Sequence, residues 1–293
     1  MNRKDFLAAL AILPVGGKVM QLQELGNITR DFKSTVTMPA MFIGHGNPMN
    51  ALADNAFTRR LTAMGKSVKE QPRAILAVSA HWLTRGTHVL VSSKPETIHD
   101  FGGFPQALHD VQYPAPGAPD LARETAKLIT STHVAEDDQW GLDHGTWSVL
   151  RHMYPDANIP VYQLSIDYSK PPEYHFNLAQ ELKALRKKGV LILGSGNIVH
   201  NLRNISFSDT AKPFDWAVEF DETVKTKIEQ RRFEDLMHYQ QLGKAAMMAV
   251  PTNDHYLPLF YSLGLAEKDE QINFTYEEIQ NGSISMRCFQ IGE

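Results

Sequence analysis

The stretch ILAVSAHW, residues 75–82, is apolar from Ile75 to Val78 and then ends on two small residues, a histidine and a tryptophan. An apolar run of this length without polar alternation predicts a strand that is buried on both faces of a sheet. A single histidine after such a strand is typical of a structural residue. The same pattern recurs elsewhere in the chain, which makes His81 a candidate for a shared site.

Three further segments place a histidine after an apolar run or a short polar break. They are MPAMFIGHGNP (38–48) with His45, GVLILGSGNIVHNL (189–202) with His200, and VPTNDHYLPLF (250–260) with His255. In open α/β sheets the ligand site lies beyond the carboxyl ends of the strands, so we expect these four histidines to meet at one edge. The glycines beside them allow sharp turns and close approach of the backbone.

Imidazole nitrogens bind zinc, iron and copper, and three or four of them around an open position form a catalytic rather than a structural site. We therefore predict one metal held by His45, His81, His200 and His255. The single cysteine, Cys288, excludes an intramolecular disulfide and a cysteine-rich metal site. We expect the histidines on other predicted strands and helices, such as His175, to be structural.

Short apolar runs alternate with helical segments along the chain, which favours an α/β fold. We predict a single domain with a central, mostly parallel sheet covered by helices on both faces and the metal site at the carboxyl ends of the strands. The predicted strands are 38–43, 74–78, 88–91, 161–166 and 190–193. The predicted helices are 56–64, 119–131, 175–188, 215–231 and 233–242.

The charge pattern bears on possible partners. The net charge is −4, from 29 Lys and Arg against 33 Asp and Glu, and the only compact basic run is LRKKG, residues 185–189. Nucleic-acid surfaces need clustered positive charge, so we expect no nucleic-acid partner, and we interpret the run as a solvated helix end. No later segment predicts a membrane span. The sequence leaves the oligomeric state open.

Residues 1–34 are predicted to be a leader or appendage that precedes a catalytic domain over residues 35–293. The start, MNRKDFLAALAILPVGG, has basic residues followed by an apolar stretch too short to cross a bilayer. It is interpreted either as a weakened twin-arginine export signal or as an ordinary N-terminal helix. The first interpretation predicts a periplasmic protein and the second a cytoplasmic one.

Two other features point to a pocket. Residues 94–120 form a long segment, KPETIHDFGGFPQALHDVQYPAPGAPD, that carries aromatic side chains. This pattern favours a lid that closes over a pocket, and the alternative is a segment that only caps the sheet. His144 follows Asp143 near the start of a predicted helix. It is interpreted either as an acid/base imidazole in the pocket wall or as a surface residue beside an Asp143 helix cap.

Seven motifs together resemble the class III extradiol ring-cleavage dioxygenases, most closely their 4,5-DOPA dioxygenase branch. They are GHGNPMNAL, SAHWLTRG, HDFGGFP, YPAPG, LDHGTWSVL, GSGNIVHNL and TNDHYLPLF, and they extend from about residue 38 to the end of the chain. The resemblance implies an enzyme that inserts O2 into a catechol, such as L-DOPA or a related aromatic diol, and opens its ring.

The resemblance also implies roles for the histidines. His45 and His81 correspond to metal ligands, and His255 falls at the third ligand position, where better-known relatives have a glutamate. His200 corresponds to an imidazole against the metal, either acid/base or fourth ligand, and His144 to a further catalytic histidine of the pocket. Fe(II) is the metal implied for dioxygenase activity, but an all-histidine site also accepts Zn(II), which has no redox chemistry.

Two alternatives remain open from the sequence. A zinc hydrolase would use the same histidines, with Asp143, His144 or Asp254 as the base. A Memo-type module would bind a metal or a peptide without turnover. The HDFGGFP segment, residues 99–105, is typical of a dioxygenase and argues against the Memo-type module. Catechol-dependent O2 uptake would separate a dioxygenase from a zinc hydrolase.

Overall fold

Short strands alternate with helices along the computed structural model, which describes residues 36–208 and 211–293. The strands are β1 (Ala40–Gly44), β2 (Ala74–Ser79), β3 (Leu83–Thr84), β4 (Thr87–Leu90), β5 (Val134–Asp137), β6 (Val161–Gln163), β7 (Ile166–Asp167), β8 (Val190–Gly196), β9 (Ile272–Tyr276), β10 (Ile279–Gln280), β11 (Ile284–Ser285) and β12 (Cys288–Ile291). The helices are α1 (Ala56–Ser67), α2 (Gln106–His109), α3 (Pro119–Leu128), α4 (His144–Met153), α5 (Pro172–Glu181), α6 (Lys183–Arg186), α7 (Asp215–Glu229), α8 (Phe233–Met237), α9 (Lys244–Ala249) and α10 (Pro258–Gly264). Three 3-10 turns cover Pro48–Leu52, Leu202–Asn204 and Tyr239–Leu242.

The central sheet has six strands in the order β6-β2-β8-β1-β12-β9. Strands β6, β2, β8 and β1 pair in parallel, whereas β12 pairs antiparallel with both β1 and β9. Parallel neighbours end at the same edge, so the residues that follow β1, β2 and β8 lie together. The predicted α/β class and the mostly parallel sheet are confirmed.

Alternate residues of the central strands pack into two separate cores. On one face Phe42 and Leu76 join a cluster that includes Phe260 of α10. On the other face Met41 and Ile75 join a cluster that includes Trp147 of α4. Burial of each such large side chain contributes about 1.5–3 kcal/mol, so layers on both faces stabilise the sheet. This double burial explains why the strands are apolar runs rather than alternating patterns.

Several predicted elements are interrupted in the structure. The predicted strand 161–166 is divided into β6 and β7, and the predicted helix 175–188 is divided into α5 and α6. The predicted leader, residues 1–34, lies outside the described residues, so its boundary with the catalytic domain 35–293 and the cellular location stay predictions. Within residues 36–208 and 211–293, no helix combines the length and the apolar character that crossing a bilayer requires.

The basic run 185–189 differs from its interpretation as a solvated helix end. Arg186 is almost fully buried, and its guanidinium binds both carboxylate oxygens of Glu270 at 2.5 and 2.8 Å. It also donates to the carbonyl oxygens of Met38 and Leu265. The interpretation was wrong for Arg186 because its donors find enough acceptors inside the fold to replace water.

His175 gives a testable link between burial and stability. It lies on α5, fully buried, with Nδ1 3.0 Å from Tyr261 Oη on α10. Burial lowers the pKa of His175 to about 4. Between pH 6.5 and 4 the unfolded chain binds a proton that the folded chain excludes, so stability that is fully present above pH 6.5 falls as the pH decreases.

We expect His175→Gln to remove this part of the pH dependence. From pH 7.5 to pH 5 the free energy of unfolding should fall by about 2 kcal/mol less in the variant than in the parent protein. Urea unfolding of both proteins at the two pH values measures the difference, and other titrating groups cancel in the comparison. An equal decrease in both proteins would show that His175 does not contribute.

Candidate metal centre

Three of the predicted ligands converge at the edge of the sheet. His45 directly follows β1 and His81 follows β2, and their Nε2 atoms lie 3.1 Å apart. One ring nitrogen from each of His45, His81 and His255 lies within 4.8 Å of the others. The structure thus brings together three imidazoles from distant parts of the chain.

His255 reaches this edge through a close approach between its loop and the end of β8. The backbone N–H of Asn197 donates to the carbonyl oxygen of His255 at 2.8 Å. A Cβ atom at Gly196 would lie 2.2 Å from the same oxygen, so only glycine permits this contact. Gly196 of the GSGNIVHNL motif therefore explains how His255, which follows no strand, joins the other two histidines.

A serine defines the orientation of His45. The Ser195 hydroxyl donates to the carbonyl oxygen of Gly145 at 2.5 Å and lies 3.0 Å from His45 Nδ1. Because the hydroxyl has only one proton, it accepts from Nδ1–H of His45. The His45 Nε2 lone pair is then free to bind a metal.

His255 is oriented by its neighbour, because its Nδ1 is hydrogen-bonded to the Asp254 carboxylate. Burial alone would raise the pKa of Asp254, but the hydrogen bonds from His255 and Thr252 outweigh it and hold the pKa well below its usual range. Asp254 is therefore a carboxylate at neutral pH, and it fixes a proton on His255 Nδ1.

His144 is the first residue of α4 and lies in the pocket wall. Asp143 caps the helix by accepting from the N–H of Thr146, as one interpretation predicted, but His144 is buried rather than on the surface. Its Nδ1 lies 2.9 Å from Asp100 Oδ2, and its ring centre is 3.9 Å from that of His81. Burial raises the pKa of Asp100, but hydrogen bonds from His144 outweigh it and leave the pKa below its usual value.

His200 stacks on His255, with ring centres 3.5 Å apart and planes inclined by 7°. It lines the same cavity as the other histidines, and its ligand nitrogen is close to ligand atoms of His255 and Asp254 rather than to those of His45 and His81. Its assignment as a fourth ligand or as an acid/base stays a prediction. The stacked geometry places its ring against that of His255.

The site favours neutral imidazoles. Burial, followed by repulsion from His255, holds the pKa of His45 well below its usual value. Burial and repulsion from His144 do the same for His81. Burial, aided by His255, lowers the pKa of His200 to about 3. Only an unprotonated nitrogen binds a metal, and at neutral pH these rings are in that form.

The histidines open into a cavity of about 360 Å³. Its apolar wall is formed by side chains from the lid, from the segment after His200 and from β11. These residues are Phe104, Leu202, Ile205, Phe207 and Ile284, and Asn47 and Asn281 add amide groups. Such a cavity fits an aromatic ring with a few polar substituents.

Asp143 does not line this cavity. Its oxygens accept hydrogen bonds from Ser79 Oγ at 2.6 Å and from Gln163 Nε2 at 2.8 Å. Burial raises the pKa of Asp143, as does the nearby Asp100. Asp143 therefore supports the ends of β2, β6 and α4 rather than presenting a base to a substrate.

Several residues of the site were not found from the sequence. Asp100 and Ser195, which contact the histidines, and the apolar wall residues carry no spacing signal that predicts their place. Asp100 and Phe104 lie in the HDFGGFP segment of the predicted lid, and Ser195 lies in the GSGNIVHNL motif, but neither motif shows which groups these side chains contact.

Comparisons with known proteins agree with this geometry. Residues 35–287 match the family described as the catalytic LigB subunit of aromatic ring-opening dioxygenase. A protein of Escherichia coli K12 named 4,5-DOPA dioxygenase extradiol is 46% identical over 266 residues, which cover 88% of this chain and 96% of that protein. A protein of the same name from Beta vulgaris is 35% identical over 255 residues, covering 85% of this chain and 94% of that protein.

A solved structure agrees as well. The crystal structure of an uncharacterized protein from Escherichia coli K12 superposes with a TM-score of 0.77 at 42% identity, covering 87% of this chain and all of that one. The resemblance found in the seven motifs is thereby confirmed. The chain belongs to the family of the catalytic LigB subunit of aromatic ring-opening dioxygenases.

Proposed function

We propose that this protein opens the ring of a catechol beside its diol, with Fe(II) held by His45, His81 and His255. The family makes the protein a metal-dependent dioxygenase that acts on a small aromatic molecule. The proposal adds the metal, its ligands and a substrate of the L-DOPA type. The observation that carries it is the convergence of three imidazole nitrogens beside an apolar cavity.

The donor set fits a divalent transition metal. Two imidazole nitrogens on one tetrahedral metal, with bonds of about 2.1 Å, lie roughly 3.4 Å apart. The Nε2 atoms of His45 and His81 are 3.1 Å apart, which is close to that value. Ser195 and Asp254 hold the second nitrogens of His45 and His255, as outer partners of metal-bound histidines commonly do.

Bound Fe(II) would supply the Lewis acidity and the electrons that the reaction of O2 with a catechol needs. The protein side chains would bind the substrate and transfer its protons. Phe104, Leu202 and Ile284 would enclose the catechol ring and exclude water. His144 is well placed to accept a catechol proton and return one later, because the Asp100 carboxylate stabilises the charged ring.

The alternatives drawn from the sequence receive less support. A zinc hydrolase needs a base beside the bound water; among the described residues that line the cavity none is a carboxylate, which leaves His144 of the candidate bases, and the named relatives are dioxygenases. Asp143 is held by Ser79 and Gln163, and Asp254 by His255. A binding module without turnover does not require the histidine and carboxylate pair of His144 and Asp100.

Oxygen uptake tests the proposal. Metal-free protein is reloaded anaerobically with Fe(II) or Zn(II) and mixed with L-DOPA or simpler catechols. We expect one O2 to be consumed per catechol with Fe(II), together with a yellow ring-opened product, and no uptake with Zn(II), which lacks redox chemistry. Absence of uptake with every catechol under Fe(II) would refute the proposal.

A further inference from the structure

The lid places one carboxylate between two of the histidines. Oδ2 of Asp100 lies 2.9 Å from His144 Nδ1 and 3.2 Å from His81 Nδ1. Its other oxygen, Oδ1, accepts the backbone N–H of His144 at 2.9 Å. A single side chain therefore contacts a proposed metal ligand and the proposed proton acceptor.

The lid backbone around Asp100 is held against the sheet and α4. The N–H of Ile98 donates to the carbonyl oxygen of Leu142 at 2.8 Å, and the carbonyl oxygen of Ile98 accepts from Trp147 Nε1 at 2.8 Å. The Phe101 ring lies 5.5 Å from that of His144. Gly103 then follows with a φ of +77° and open space around it, and the lid is packed again from Leu108 onward.

The Asp100 carboxylate accepts a hydrogen bond from His144, which fixes the proton of that ring on Nδ1. It makes a charge contact with His81 Nδ1 at 3.2 Å rather than a hydrogen bond, and its negative charge favours a proton on that nitrogen. For His81 this leaves Nε2, the atom that faces His45 Nε2, free for a metal. For His144 it leaves Nε2 free for a substrate. A metal on Nε2 makes the imidazole a stronger hydrogen-bond donor at Nδ1, which strengthens its attraction to Asp100.

We propose that Asp100 is a positioning residue that couples the lid to the metal through His81 and His144. This inference rests on the proposed ligand role of His81. Metal binding stabilises the lid in its observed position, and by thermodynamic reciprocity the lid raises the affinity for the metal. Loading the metal and shaping the substrate cavity are thus one linked event.

Two measurements on the same proteins test this coupling, with Zn(II) as a redox-inert probe. The affinity for Zn(II) is measured by competition with a chelating dye, and hydrogen exchange of peptides spanning residues 97–105 is followed with and without Zn(II). The variant is Asp100→Asn. The matched control is Asp110→Asn, which removes an exposed lid carboxylate that accepts from Gln106.

We expect Zn(II) to slow exchange in these lid peptides of the parent protein and of the Asp110→Asn variant. In Asp100→Asn the affinity for Zn(II) should fall by roughly 10- to 100-fold, and saturating Zn(II) should no longer slow lid exchange. The inference is overturned if Asp100→Asn keeps both properties, or if Zn(II) leaves lid exchange unchanged in the parent protein.

A second variant, Asp100→Ser, is used if Asp100→Asn does not fold. Serine is too short to contact both rings. The same two results are expected and the same two would overturn the inference. Neither measurement depends on turnover. A protein that couples its lid to Zn(II) but consumes no O2 with any catechol would therefore refute the proposed function and leave this inference standing.

Discussion

Alanine in place of His45 is expected to abolish stable metal binding and, with it, ring opening. His45 is a buried member of the three proposed ligands, with its Nε2 3.1 Å from that of His81 and its Nδ1 held by Ser195. Loss of an outer partner of a metal ligand costs about 10- to 100-fold in affinity, and we expect loss of the ligand itself to cost more. Metal analysis after dialysis measures the effect directly.

The fold should survive this change because His45 borders an open cavity rather than the packed core. Circular dichroism and the melting temperature of the metal-free proteins check this point. The control is His238→Ala, which removes a half-exposed histidine paired with Glu173. Full metal occupancy in His45→Ala would exclude it as a ligand, whatever the activity.

Removal of the His144 ring is expected to separate chemistry from metal binding. In His144→Ala the metal should stay bound, since His144 is not a member of the group formed by His45, His81 and His255, although it belongs to a second close group with His81 and Asp100. The turnover number of the Fe(II)-loaded protein should fall by roughly 10²- to 10⁴-fold, the usual contribution of a general acid/base. Metal analysis and steady-state oxygen uptake on the same preparation separate the two effects.

Two results would contradict this assignment. Loss of metal in His144→Ala would indicate that His144 is a ligand. An unchanged turnover number would mean that another residue accepts the catechol proton, with His200 as the next candidate. His200 lines the same cavity but stacks on His255, so we expect His200→Ala to alter metal affinity as well as turnover.

The sequence predicted the histidine edge because its physical signal is strong. Strands β1, β2 and β8 are buried on both faces and therefore stand out as apolar runs, and each is followed by a histidine within four residues. Parallel strands end together, so the convergence of His45 and His81 follows from topology. His255 was placed at the edge by its polar loop alone, and the contact at Gly196 could not be foreseen.

Other elements lacked such a signal. Helix α10 is buried along its whole length, so its sequence has no polar face from which to recognise a helix. Strand β9 is short and only partly buried. Asp100 and Ser195 contact histidines 44 and 150 residues away along the chain, and no local pattern encodes a partner at such separation.

The position of β12 has a consequence for how the protein is made. This last strand lies inside the sheet between β1 and β9, and the N–H of Gly44, next to His45, donates to the carbonyl oxygen of Arg287. Ribosomes synthesise the chain from its N-terminus, so β1 has no partner on this side until β12 has been made. A prematurely terminated chain would expose that unpaired edge and invite aggregation.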